Sequence, residues 1–292
     1  MNCLIRNVGF AAVTGDGRFS TNHTTRLRFA DMNRVLEIAN RNLDDLEAIL
    51  SLMEPLPLRL FRLGSSLVPF ASHLDLRHAW QPPLAPRLGR IGLKYQALGF
   101  RFSMHPGQYI TLATPDEDVL QRSRSELAYA TETLDLMGLD RSHKVVLHGG
   151  SLYGDRTSTT ERLIDRVGHL ASNVRSRLVL ENDERYFNLE EILDVAERSG
   201  VPVVFDIHHH NLNPSPTPLD VLLPRVSATW DSRPKMHISS QREGARPGAH
   251  ADYIRREDVE ALCRILPFEV DLMVEAKAKE LAAIQVAEWL RN

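Results

Sequence analysis

Cysteine is scarce: the 292-residue chain holds only Cys3 and Cys263. Their separation matches no zinc or redox spacing, which argues against a thiolate metal site and leaves two ordinary thiols of a reducing compartment. Long apolar runs are missing as well. No stretch approaches the ~18 residues that a membrane span needs, and the apolar part of MNCLIRNVGF is too short for a signal peptide. A soluble, cytoplasmic protein is expected. Excess positive charge is also absent, with a net charge of −3 and a pI near 6.5. No global field therefore draws the chain to polyanions, and any such partner must be gripped by a local groove. Cations bound among acidic side chains would reverse the sign locally. No linker, low-complexity tract or shift in composition divides the chain. Residues 1–292 read as one domain, long enough to bury a large core without staples.

What is present is histidine, twelve in all, and a recurring pattern. Six apolar runs, RFSMH, KVVLH, LVLE, VPVVFD, PKMH and DLMVE, end in His105, His148, Glu181, Asp206, His237 and Glu275. A buried strand normally ends in a turn residue, so an acid or imidazole there has no packing purpose. Eight β-like runs are read at 3–10, 57–63, 100–105, 144–149, 177–181, 201–207, 234–238 and 269–275. They are continuous Val/Ile/Leu/Phe stretches, as expected of strands covered on both faces. Eight helical runs alternate with them. MNRVLEIANRNLDDLEAILSLM, DEDVLQRSRSELAYATETLDLMG, NLEEILDVAERSG and the closing AKELAAIQVAEWLRN show apolar residues at three- and four-residue spacing. Alternating βα units imply right-handed crossovers and a parallel sheet. Eight of them predict a (β/α)8 TIM barrel, whose strand ends all meet at the C-terminal mouth where barrel enzymes place their chemistry. Residues 11–30 and 64–85 are longer than ordinary connectors and are expected to bind or cover substrate.

Mixed imidazole and carboxylate ligands without thiolates suit zinc, manganese or iron. Glu181, Asp206 and Glu275 clustered at one mouth would repel one another strongly unless cations offset them. Six ligands exceed the need of one tetrahedral ion. With His209 and His250 added, eight ligands suit two or three divalent ions, the arrangement that clamps the attacking and leaving oxygens of a phosphoryl displacement.

The motifs SMHPGQY (103–109), LHGG (147–150), LENDE (180–184), VVFDIHHHNLNP (203–214), PKMHISSQ (234–241), RPGAH (246–250) and MVEAKAKE (273–280), with PFASH (69–73), resemble those of UV damage endonucleases. They cover most of the chain in that family's order. The resemblance implies an endonuclease IV-like barrel that binds double-stranded damaged DNA. It also implies divalent metals, manganese foremost with zinc or magnesium as alternatives, and a nick 5′ to photoproducts that leaves a 3′-hydroxyl. It implies His105, His148 and Glu181 at one metal, with Glu181 bridging to a second completed by Asp206, His237 and Glu275. His209 and His250 would hold a third, where Gly248 stands in place of the Asp usual in endonuclease IV. Catalytic roles fall to Glu181, Glu275, Lys235 and His237.

Lys235 shares a strand face with His237. It is either carboxylated by carbon dioxide, as the resemblance implies, or a plain lysine paired with Glu275 or a phosphate. Alternation after Asp206 favours His208, whereas the motif favours His209. Gln108 and Tyr109 would read the lesion, with His73 nearby. Phe10 stands where the family tends to carry Tyr, so it can stack but cannot donate a hydrogen bond. Arg246, with Arg242, Arg255 and Arg256, is a candidate phosphate contact. No obligate protein partner is implied and a monomer is expected. The rival readings are a metal-dependent sugar isomerase on the same barrel, a plain abasic-site endonuclease, and a lesion-binding protein that does not cut.

Overall fold

The computed structural model describes residues 3–73, 75–76 and 78–291. Eight parallel strands close into a barrel in chain order: β1 (Ile5–Ala11), β2 (Leu58–Leu63), β3 (Arg101–Met104), β4 (Lys144–His148), β5 (Leu178–Glu181), β6 (Val203–Asp206), β7 (Lys235–Ile238) and β8 (Val270–Val274). Each lies within about two residues of its predicted run. From β3 onward almost every strand residue is buried, which is why these segments read as unbroken apolar runs rather than alternating ones.

Ten helices surround the barrel among the described residues: α1 (Met32–Met53), α2 (Gln81–Ala97), α3 (Glu117–Leu136), α4 (Arg156–Gly168), α5 (Ser172–Arg177), α6 (Leu189–Ser199), α7 (Ile207–Leu212), α8 (Leu219–Ala228), α9 (Arg256–Ile265) and α10 (Glu280–Arg291). Asp31 caps α1 by accepting a hydrogen bond from the Arg34 amide at 2.9 Å, and Val35, Ala39, Leu43, Leu46 and Leu50 form its buried face. A reciprocal capping box between Asn188 and Glu191 opens α6, and Gly200 ends it at φ 69°. The two helices beyond the expected eight are α5 and α7, each six residues long. Both are too short to show an amphipathic period. Asn292, the last residue of the predicted closing helix, and Leu74 and Arg77, within the predicted 64–85 connector, lie outside the described residues.

The thiol expectation is corrected. Cys3 and Cys263 form a disulfide across 260 residues of sequence, with Cα atoms 5.2 Å apart. The barrel closes by pairing β1 with β8, and α9 leads directly into β8, so the two ends of the chain meet in space. No helix among the described residues is long and apolar enough to cross a membrane.

The long connectors after β1 and β2 are pinned to each other. The buried Asn42 on α1 accepts from the His23 amide and donates to the carbonyls of His23, Ser66 and Leu67. At the opposite end of the barrel Asp271 accepts from Arg101 at 2.9 Å, Asn7 at 2.9 Å and Arg233 at 3.2 Å, a polar plug beneath the mouth.

Candidate metal centre

Strand register brings the predicted ligands level. His148 at the end of β4 pairs with Glu181 on β5, and Asp206 on β6 pairs with His237 on β7. Glu275, one residue past β8, is held by its amide hydrogen bond to the Ile238 carbonyl at 2.8 Å. Two donor sets result, one of His105, His148 and Glu181 and the other of Glu181, Asp206, His237 and Glu275. Within each, the donor atoms all lie within 4.8 Å of one another, and Glu181 belongs to both.

The donors fit a cation. Glu181 is buried, with His237 Nδ1 2.7 Å from Oε1 and His105 Nε2 3.0 Å from Oε2. Burial works against its charge, yet His237 and His148 hold the carboxyl well below the usual range. Burial likewise opposes ionisation of Glu275, and Arg62 with His237 overcomes it. For His148 burial wins and pushes the imidazole down to about 4, so it is neutral and free to coordinate. Asp206 Oδ1 accepts from the His209 amide at 2.9 Å, while its buried Oδ2 and the buried Nδ1 of His148 have no hydrogen-bond partner. An orphaned carboxylate oxygen among other acids is costly without a positive partner.

Asp206 also explains the failure of alternation. It is the N-cap of α7, so the chain turns helical at once and the third residue on, His209, returns to the same side. Its Nδ1 lies 2.9 Å from the Asn182 carbonyl and 3.7 Å from Glu181 Oε1. Burial lowers the His209 pKa, but Asp206, Glu181 and Glu275 raise it to about 9 overall. Asn182 also fixes Asp206, accepting from its amide at 2.8 Å and donating to its carbonyl at 2.9 Å. The predicted third pair is not gathered into a set of three donors among the described residues. His250 faces Glu275 at 3.9 Å and packs edge-on against His208. His209 Nε2 faces Glu184 at 3.9 Å. A side chain at residue 248 would meet Glu184 Cγ at 3.5 Å, so Glu184 occupies the space beside Gly248.

Arg62, on β2, is the site residue that the sequence reading missed. Its Nη2 lies 2.5 Å from Glu275 Oε1 and 3.1 Å from His237 Nε2. Lys235 is fully buried and its Nζ has no hydrogen-bond partner, which corrects the pairing with Glu275 considered above and removes it from reach of a phosphate. Burial first, then Arg101 and Arg62, pushes its amine well below the usual lysine range.

The lesion-reading candidates divide. Gln108 lines a 260 Å³ cavity with His148, Glu184 and Tyr186. Tyr109, 75% exposed, and His73 line a separate 550 Å³ cavity with Phe70 and Glu126. Arg246 lines a 440 Å³ cavity with Arg62, His250 and Glu275. Phe10 is corrected: at 1% exposure it packs edge-to-face on Phe61 and offers no stacking surface. Arg255 and Arg256 are paired with Asp258 and Glu260, each at 3.0 Å.

The family model described as UV-endonuclease UvdE matches residues 11–292. This chain belongs to the UvdE family. A UV DNA damage endonuclease of Clostridium perfringens is 33% identical over 291 residues, 98% of this chain and 71% of that one. Another, of Bacillus velezensis, is 32% identical over 79% of this chain and 74% of its own. The crystal structure of SacUVDE superposes with a TM-score of 0.92 at 34% identity, covering 98% of each chain. Beyond the UvdE family, endonuclease IV from Thermus thermophilus (TM-score 0.58, 17% identity, 97% of each chain) shares the barrel fold. So does D-psicose 3-epimerase from Clostridium cellulolyticum, at a TM-score of 0.58 and 14% identity over 85% of this chain and 93% of that one. The sugar-enzyme rival therefore has support at the level of fold alone.

Proposed function

We propose that the protein nicks double-stranded DNA immediately 5′ to ultraviolet photoproducts, leaving a 3′-hydroxyl. It would use two or three divalent ions, manganese foremost, and act as a monomer in the cytoplasm. The Cys3–Cys263 bond removes the thiol argument for that compartment, and the location of the DNA substrate carries it instead. The observation that supports the catalytic reading is the position of Glu181 in both donor sets. A carboxylate shared between two donor sets would hold two cations close together, as two-ion phosphodiester cleavage requires. Bound divalent ions would polarise the scissile phosphate and lower the pKa of the attacking water.

The chain's own residues supply the rest. His105 and His148 on one side and Asp206, His237 and Glu275 on the other fix the two positions, and His209 with His250 extends the set toward a third. Arg62, beside Glu275, places a fixed positive charge where a phosphate oxygen gathers negative charge. Lys235, whose charged form is disfavoured by burial and its arginine neighbours, would add carbon dioxide through its neutral amine, giving a carbamate anion and releasing one proton. Gln108 borders the metal-side cavity and Tyr109 stands exposed at the next one, so a lesion that unstacks easily would be sensed between them.

An end-labelled duplex carrying one cyclobutane dimer, incubated with and without manganese beside a Glu275→Ala control, tests this reading. A metal-dependent nick on the 5′ side, absent in the variant, is expected. Turnover of an aldose without any nick would transfer the protein to the isomerase class.

A further inference from the structure

The connector from β1 to α1 leaves the same barrel mouth as the metal ligands, since Ala11 lines one cavity with Arg62, Arg246 and Glu275. Its base is rigid. Thr21 Oγ1 accepts from the Gly64 amide at 2.9 Å, and Asn22 Oδ1 accepts from the Ser66 amide at 3.0 Å. Asp45 holds His23 Nε2 at 2.8 Å and the Ser20 amide at 2.9 Å, and Asn42 clamps the His23 backbone. Above this base the chain makes one 3-10 turn, Leu27–Phe29, in which no residue is buried. Leu27 is 51% and Phe29 55% exposed.

Two large apolar side chains at the tip of a pinned loop serve no packing role. Their surroundings select a partner. Residues 19–30 contain no acid. Arg26 and Arg28 are exposed and, among the described residues, make no ion pair, unlike Arg255 and Arg256. Arg28 lies over the Phe29 ring, 4.7 Å from its centroid, which orients the aromatic and leaves the charge outward. An apolar tip flanked by free guanidiniums is complementary to a groove of duplex DNA, where phosphates line both edges and the base stack forms the floor.

We propose that the Arg26–Phe29 turn is a second DNA-contacting element, separate from the HPGQY loop. Arg26 and Arg28 contact phosphates, and Leu27 and Phe29 rest against the bases. The inference builds on the DNA reading above, and the turn lies outside the ligand set, so its variants leave the metal centre intact. With all four side chains exposed, substitution does not threaten folding.

Binding of a fluorescein-labelled duplex is measured by anisotropy across a salt series, with manganese present for the undamaged duplex and in chelator for the duplex with one dimer. For Arg26→Ser/Arg28→Ser the slope of log affinity against log salt should fall by about 1.8, two phosphate contacts at about 0.9 each. Leu27→Ser/Phe29→Ser should keep the slope and lose on the order of tenfold in affinity, the size of one lost stacking contact. Arg198→Ser/Arg225→Ser, in the last turns of the outer helices α6 and α8 and paired with Glu161 and Glu197, should change neither. Wild-type binding with both turn variants indistinguishable from it would overturn this proposal and leave the incision reading standing. Failure of the wild-type protein to bind either duplex would remove both.

Discussion

Arg62 Nη2 and Glu275 Oε1 stand 2.5 Å apart, joining the ends of β2 and β8 across the mouth of the barrel. The guanidinium there neutralises part of an acidic cluster that divalent ions would also neutralise. Arg62→Met should therefore cost about 3 kcal/mol of stability in chelator, the scale of a buried pair broken on one side. With saturating manganese the cost should be much smaller. Denaturant unfolding under the two conditions measures the difference, and an equal loss in both would show that Arg62 and cations do not share the role.

Glu181 and Glu275 should differ as ligands, because one belongs to both donor sets and the other to one. By elemental analysis and calorimetric titration with manganese, Glu275→Ala should lose one equivalent of bound ion. Glu181→Ala should lose two. Equal losses would contradict the sharing.

Asn182 lies outside both donor sets, yet its side chain positions Asp206, while its backbone carbonyl faces His209 Nδ1. Asn182→Ala should weaken manganese binding by roughly 10–100-fold with unchanged stoichiometry, the range seen when a residue that orients ligands is removed. Unaltered affinity would show that strand register alone orients Asp206.

His143 accepts a hydrogen bond from the Phe102 amide at 2.8 Å through Nδ1 and is therefore held neutral. Burial lowers its pKa to about 4, against the opposing pull of Asp140. The folded value lies below the unfolded value of about 6.5, so the unfolded chain takes up the proton first. The associated stability is present above pH ~6.5 and is lost as pH falls toward 4. Comparing pH 7 with pH 4 in chelator, His143→Gln should show an acid loss smaller than wild type by about 3 kcal/mol. Identical acid limbs would rule this out.

Lys235 gives a chemical signature independent of activity. In bicarbonate buffer the native mass should exceed the sequence mass by one carbon dioxide, and Lys235→Met should abolish the increment. Absence of the increment in the wild type would leave a bare buried amine. In that case Lys235→Met should stabilise the protein at neutral pH, because a lysine whose folded pKa is depressed penalises folding at every pH below its unfolded value of about 10.4.

The strand ends were legible because a barrel converts position along the chain into position around a ring. His148 and Glu181, or Asp206 and His237, needed only the assumption of parallel closure to become neighbours. Arg62 was hidden because it is a cation one residue inside β2, outside the pattern of acids and imidazoles that end the other strands. The His209 position was ambiguous because a six-residue helix begins where the strand stops, too short to reveal its period. Phe10 was misplaced because an aromatic at a strand end is the same in sequence whether it faces solvent or the Phe61 ring. The pairing of Cys3 with Cys263 could not be read from spacing, because sequence distance carries no information where the first and last strands join.

That pairing has a topological effect. With Cys3 and Cys263 bonded, the intervening polypeptide is a covalent ring. A protease that cuts once at an exposed connector would open the ring without freeing a fragment. The clipped protein would migrate as a single species until a reductant separates its two pieces.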